Sequence, residues 1–141
     1  MRLLLNISIL AVAVYCGLVL LLYIFQRNLL YYPSTKNAKP ADYDISEMAL
    51  VEIITSDGLK LDAWFKEAEE GKQTILYLHG NAGHLGHRSI KVKNYLDAGF
   101  GLLLLGYRGY GGNSGKPSEK NLYIDGRAAL SFLIKYQVPL S

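Results

Sequence analysis

The residues able to do chemistry fall in two short stretches. His79-Gly80-Asn81-Ala82-Gly83 follows an apolar run. Small residues after a buried strand let the backbone turn sharply and expose N–H groups, and such groups stabilise the oxyanion that develops in acyl transfer. The same five residues fit a plain strand-to-helix turn with glycines in special dihedrals, and taken alone they favour that plainer reading. All three histidines, His79, His84 and His87, lie within nine residues. Zinc uses such clusters, but no Asp, Glu or Cys joins them nearby and H-E-x-x-H is missing. No metal is expected, and His84 and His87 read as polar residues at the start of a helix. The second stretch is Tyr107-Arg108-Gly109-Tyr110-Gly111-Gly112-Asn113-Ser114-Gly115. A dinucleotide G-x-G-x-x-G would need Gly at Ser114, and a nucleophile elbow G-x-S-x-G would need Gly at Lys116. With no Walker A motif either, no cofactor is expected. Arg108 reads as structural, holding backbone carbonyls or a carboxylate.

The surrounding pattern supplies elements to hold these stretches. Leu50–Thr55 alternates and is β-branched, Ser56-Asp57-Gly58 is a turn signal, and Leu59–Phe65 alternates again, which predicts an antiparallel hairpin. Thr74–Leu78 and Phe100–Leu105 are short continuous apolar runs, as in strands buried on both faces. A helix is expected from near Gly86 to Ala98, with Val92, Tyr95 and Leu96 on one face and Gly99 as its stop. Ser118 is a plausible N-cap for a last helix, on which Leu122, Ala129, Leu130 and Leu133 recur at helical spacing and Pro139 bars continuation. The fold class is therefore α/β, an antiparallel hairpin followed by parallel strand-helix-strand-helix.

Composition narrows the rest. The chain has 141 residues, 50% hydrophobic and 19% charged, which excludes general disorder. A single cysteine, Cys16, excludes a disulfide framework. A net charge of +3 falls short of the clustered basic face of nucleic-acid binders, so no nucleic-acid partner is expected. Leu3–Phe25 carries no charge and as a helix is long enough to cross a bilayer core of about 30 Å. Ala11-Val12-Ala13 has the form of a signal-peptidase site, but the apolar run continues well beyond it, so an uncleaved single-pass anchor in the lipid bilayer is the expectation. Arg2 on one flank against Arg27, Lys36 and Lys39 on the other leaves its orientation unassigned. The expected organisation is anchor 1–26, extended linker 27–45 and α/β domain 46–141.

Several motifs recur in one order: Gln26-Arg27-x-Leu29-x-Tyr31-x-Pro33-Ser34, Asp57-Gly58-x-x-Leu61-x-x-Trp64-Phe65, the run at 79–83 with Gly86-His87-Arg88, and the run at 107–115 with Pro117-Ser118-Glu119 and Leu122-Tyr123-x-Asp125. This set resembles the membrane-anchored serine hydrolases related to alpha/beta-hydrolase domain-containing protein 13. The resemblance implies an α/β-hydrolase fold and ester, thioester or amide hydrolysis by a Ser-Asp-His triad. It implies that His79 and Gly80 end the third strand and that the Asn81 N–H is an oxyanion donor. Gly83, Arg108, Gly109 and Gly111 would then be motif positions that shape the loops. Gly106 departs from the acidic residue usual before the Tyr-Arg pair, and Asn113 stands where many relatives have serine. The resemblance places nucleophile, acid and base beyond Ser141. The 141 residues alone are then expected to be inactive, Thr74–Leu78 is an exposed apolar edge, and a second chain carrying the remainder is a candidate partner. A membrane-anchored binding module is the alternative.

Overall fold

A computed structural model describes residues 1–136. The expected stop at Pro139, and Ser141, lie outside the described residues. The described residues form two units, 1–31 and 32–136.

The first unit is one helix, α1 (Arg2–Leu30), whose side chains are all exposed. Its 29 residues span about 43 Å at about 1.5 Å each, so it is long and apolar enough to cross a membrane. Ser8 donates its hydroxyl to the Leu4 carbonyl at 3.0 Å, which removes a polar group that lipid cannot satisfy. The helix outlasts the apolar run. Gln26 and Arg27 change the side-chain polarity but not the backbone ladder, and the Tyr31 N–H still reaches the Arg27 carbonyl at 3.0 Å.

The stretch expected as an extended linker, 27–45, is more ordered than that. After the last turn of α1 it forms β1 (Tyr32–Pro33) and a 3₁₀ turn at Pro40–Tyr43. Ala38, Pro40 and Ile45 are buried. Burial of these apolar groups outweighs the turn-forming tendency of their polar neighbours.

The sheet contains β2 (Ala49–Ile54), β3 (Lys60–Lys66), β4 (Thr74–Leu78) and β6 (Gly101–Leu105) in the order β2-β3-β6-β4. β2 and β3 form the hairpin expected around Ser56-Asp57-Gly58. β3 runs antiparallel to β6, and β4 runs parallel to it. β5 (Ala82–Gly83) pairs in parallel with β1, a short bridge that the pattern of apolar residues did not indicate. Helix α2 (Ser89–Asp97), preceded by a 3₁₀ turn at Leu85–Arg88, joins β4 to β6. Helix α3 (Glu119–Lys135) follows β6, with Ser118 as N-cap accepting from the Asn121 N–H.

The period-2 alternation of the strands divides the core. Ile53, Leu61, Ala63, Phe65, Leu103 and Leu105 face α3 through Ala129 and Leu133. Trp64, Leu102 and Leu104 face α2 through Val92 and Leu96, with Ile45 and Met48 beside them. One expectation needs correcting: Leu130 is 41% exposed and lies off the core face of α3. β4 is half-buried, and among the described residues it forms the sheet edge with β6 on one side alone, the exposed apolar edge expected of Thr74–Leu78.

Leu104→Ala leaves a void between β6 and α2 and is expected to cost about 2–5 kcal/mol. Leu130→Ala is expected to cost less than about 1 kcal/mol. Denaturant unfolding of the full chain in mild detergent, followed by Trp64 fluorescence, measures both.

Candidate active site

The two motif stretches meet at the C-terminal ends of β4 and β6. His79 is buried, its ring 4.7 Å from that of Tyr107 and 4.9 Å from that of Tyr110. Its Nδ1 lies 2.6 Å from the Gly80 carbonyl, and its Nε2 lies 3.4 Å from the Tyr107 N–H. A carbonyl only accepts and an amide N–H only donates. The pair of contacts therefore selects the neutral ring protonated at Nδ1. Burial acts the same way, lowering the histidine from its ordinary value, and Arg88 adds to it.

That ring orients one peptide unit. The Gly80 carbonyl and the Asn81 N–H belong to the same plane and point in opposite directions. Holding the carbonyl at His79 thus sets the direction of the N–H. The next plane is held as well, since the Asn81 carbonyl accepts from the Tyr32 N–H and the Tyr110 hydroxyl, both at 2.9 Å. Gly80 and Asn81 are exposed, and a Cβ added at Gly80 would meet open space. Gly83 has φ +83°, and a Cβ there would run into the His87 ring. The loop is thus an anchored backbone turn open on one side, a form able to receive a developing negative charge.

His79 stands apart from the other two histidines. His84 caps the 3₁₀ turn by accepting from the Gly86 N–H at 3.1 Å, and its ring lies 3.9 Å from that of His87. Burial lowers the His84 ring from its ordinary range, and His87, Lys36 and Arg88 reinforce this. No group of three His, Cys, Asp or Glu residues able to hold a metal occurs among the described residues.

The second stretch is organised by Arg108, which is 3% exposed. Its Nε and Nη2 donate to Asp125 Oδ1 at 2.8 and 2.6 Å, and its Nη1 and Nη2 donate to Asp57 at 2.7 and 3.0 Å. The Arg108 backbone N–H adds a bond to Asp125 Oδ2 at 3.0 Å. Of the two roles the sequence left open, the guanidinium takes the carboxylate one, twice over. Asp57 had signalled a turn and a motif position, and Asp125 only a motif position. Neither spacing announces a partner 51 or 17 residues away. The guanidinium, and then the Thr55 hydroxyl, hold the Asp57 carboxyl well below the usual carboxylate range. Gly109 donates to the Asn113 carbonyl at 3.0 Å, and Gly111 donates to the Ser34 carbonyl at 2.8 Å, which ties the loop to the segment after β1.

The two departures noted in the sequence fit together. A Cβ at Gly106 would lie 2.6 Å from the Asp62 carbonyl oxygen and 2.9 Å from Asn113 Nδ2. Asn113 uses that space. Its Nδ2 donates to the Gly106 carbonyl at 2.8 Å, and its Oδ1 accepts from the Asp62 N–H at 2.9 Å. The side chain at 113 thus stitches the loop to β3 where 106 bears no side chain.

No family model matches the chain. It is 34% identical over 127 residues to protein Bem46 of Schizosaccharomyces pombe, covering 83% of this chain and 42% of that protein. It is 34% identical over 124 residues to the alpha/beta hydrolase domain-containing protein WAV2 of Arabidopsis thaliana, covering 82% and 40%. The Pyrococcus furiosus esterase Pf2001 superposes with a TM-score of 0.58 at 26% identity, covering 75% of this chain and 42% of the esterase. The chain has the fold of the α/β-hydrolases. It spans about two fifths of the length of the relatives it matches.

Arg108→Met leaves Asp125, fully buried, with no cation, and is expected to destabilise the domain by about 3–5 kcal/mol. Asp57 carries a separate acid signature. Its folded pKa lies below its unfolded one, so its stabilisation is present above the ordinary carboxylate pKa of about 3.9 and is lost as pH falls below it. Asp57→Asn is expected to flatten that acid limb, measured as denaturation midpoint against pH from 6 down to 3. In a double-mutant cycle, Gly106→Asp is expected to destabilise the Asn113 background more than an Asn113→Ser background, with a coupling of about 0.5–3 kcal/mol.

Proposed function

We propose that this chain provides the oxyanion side of a membrane-tethered serine hydrolase acting on esters, thioesters or amides. The observation that carries this reading is the peptide Gly80–Asn81, held by the neutral His79 at the end of β4 and open on one side. In acyl transfer the carbonyl oxygen of the substrate becomes an oxyanion, and a prearranged backbone N–H stabilises it. The Asn81 N–H has that role here. His79 is its positioning residue and not the base, because its Nε2 already accepts from Tyr107.

The nucleophile, its base and its acid come from a segment that docks on the free edge of β4. Among the described residues no serine or cysteine side chain is hydrogen-bonded to a histidine. Ser114 lies in an exposed turn without the strand-to-helix elbow of a nucleophile, and Ser131 lies within α3. On this reading the described residues supply no nucleophile of their own. Helix α1 is the membrane tether, supported by its length, its lack of charge from Leu3 to Phe25 and its exposed apolar surface.

A fluorophosphonate probe tests this assignment. The 141-residue chain in detergent is expected to give no labelling. Co-expression with the portion of Bem46 that follows the matched region is expected to restore labelling, on a serine of the added segment. In that complex Asn81→Pro, which removes the N–H, is expected to lower kcat about 10²–10³-fold. Labelling of Ser114, or of any serine of the chain alone, would overturn the division of labour. An unlabelled complex that nevertheless assembles would overturn the hydrolase reading.

A further inference from the structure

The sheet has a second free edge, β2, on the side away from β4. The Thr55 N–H donates to the Leu59 carbonyl at 2.9 Å, which makes Thr55 and Leu59 a hydrogen-bonded pair of the hairpin. Antiparallel pairs alternate, so Ile53–Leu61 and Val51–Ala63 are bonded pairs as well. Leu50, Glu52 and Ile54 therefore turn their N–H and C=O groups outward, and no strand neighbours them among the described residues.

A groove runs between this edge and α3. It comprises two adjoining depressions of about 700 and 250 Å³ that share Ile54, Ala128 and Ser131. Its surface is mostly apolar, and its cations are Lys120, Arg127 and Lys135. No ion pair or hydrogen bond engages these three side chains among the described residues. Glu52, the carboxylate in the lining, is taken by Lys60 at 2.9 Å.

We propose that this edge binds an extended peptide segment of a partner protein, acidic and apolar in alternation, which adds a strand to β2 and sets its carboxylates against Lys120, Arg127 and Lys135. This goes beyond the hydrolase reading and concerns the opposite edge of the sheet. Three physical points select the occupant. Outward N–H and C=O groups in alternation are satisfied by another strand, which both donates and accepts. An anionic lipid surface matches the cations but offers carbonyl groups no donor array. A second copy pairing β2 with β2 brings the same cations face to face, which like-charge repulsion opposes. Alternate side chains of an added strand share one face, so its acidic residues fall on the α3 side against the three cations, and its apolar residues fall on the opposite face beside Leu50, which is 51% exposed.

The probe is a fluorescent octapeptide of alternating Val and Glu, with its Val-Lys counterpart as control. Binding is read by anisotropy against the full chain in discs of neutral lipid. The Val-Glu peptide is expected to bind saturably and at least tenfold more tightly than Val-Lys. Arg127→Glu combined with Lys120→Glu is expected to raise its Kd at least tenfold while leaving the circular dichroism unchanged. Glu52→Pro removes an outward N–H, a change tolerated on an edge strand, and is expected to weaken binding, as is N-methylation of alternate peptide residues. Equal binding of both peptides, indifference to the Arg127 and Lys120 changes, or indifference to N-methylation would overturn the proposal. So would capture by phosphatidylserine vesicles without binding of the peptide, which would assign the groove to a lipid surface.

Discussion

A guanidinium with 3% exposure needs its charge compensated where it lies, and the position of Arg108 is set by that requirement. Two carboxylates from distant parts of the chain meet it, Asp57 from the β2–β3 turn and Asp125 from α3. Three elements with no sequence neighbour in common are thereby held at one point. Each carboxylate meets the planar fork through two bonds, a geometry that lysine cannot reproduce. The arrangement carries one positive and two negative charges. Asp57 is the partner that can bear the excess, because its side chain is 41% exposed and water screens it, while Asp125 is closed off.

The site inherits its order from this pairing. Arg108 follows Tyr107, and its backbone N–H is fixed on Asp125. The Tyr107 N–H one residue earlier meets His79 Nε2. His79 in turn holds the Gly80 carbonyl, and through that peptide plane the direction of the Asn81 N–H. A charge cluster on α3 is thus connected to a loop after β4 by backbone groups and one imidazole. The link is polar throughout, and the neutral state of His79 is part of it. Acidification below the ordinary histidine range of about 6.5 weakens it, because the buried ring is held neutral in the fold and is free to charge when unfolded.

What the sequence made legible follows from the range over which its signals act. Strand alternation, the Asp57-Gly58 turn and the Ser118 cap are local, and each marked an element within a residue or two of its observed place. The motif order at 79–83 and 107–115 identified the fold, which composition alone did not. Partners of Arg108 could not be read, since no local rule joins residues 51 apart. The stretch 27–45 misled for a related reason. Its prolines and polar residues signal a loop, while Ala38 and Ile45 are ordered by Trp64, Val92 and Leu96, which lie far along the chain. Leu130 matched a helical period but falls at the margin of the face that α3 buries. Gly106 and Asn113 looked like two unrelated departures. Only the space around Gly106 shows that one side chain occupies what the other lacks.

The two edges of the sheet differ in chemistry. β4 is an apolar strand with half-buried Ile75, Leu76 and Tyr77 and with Leu78 at 46% exposure. An edge of that kind associates indiscriminately unless another strand covers it. The loop that follows it carries the orienting geometry of His79, so a segment covering β4 arrives beside the Asn81 N–H. The exposed apolar strand and the anchored turn of His79 thus lie side by side at one edge of the sheet. β2 differs because Glu52 and Lys60 place charges on the hairpin and α3 places three more alongside. Charges at an edge admit a partner of one sign and reject another copy of the same chain. One edge of the sheet thus presents an apolar strand, and the other presents a strand flanked by charges.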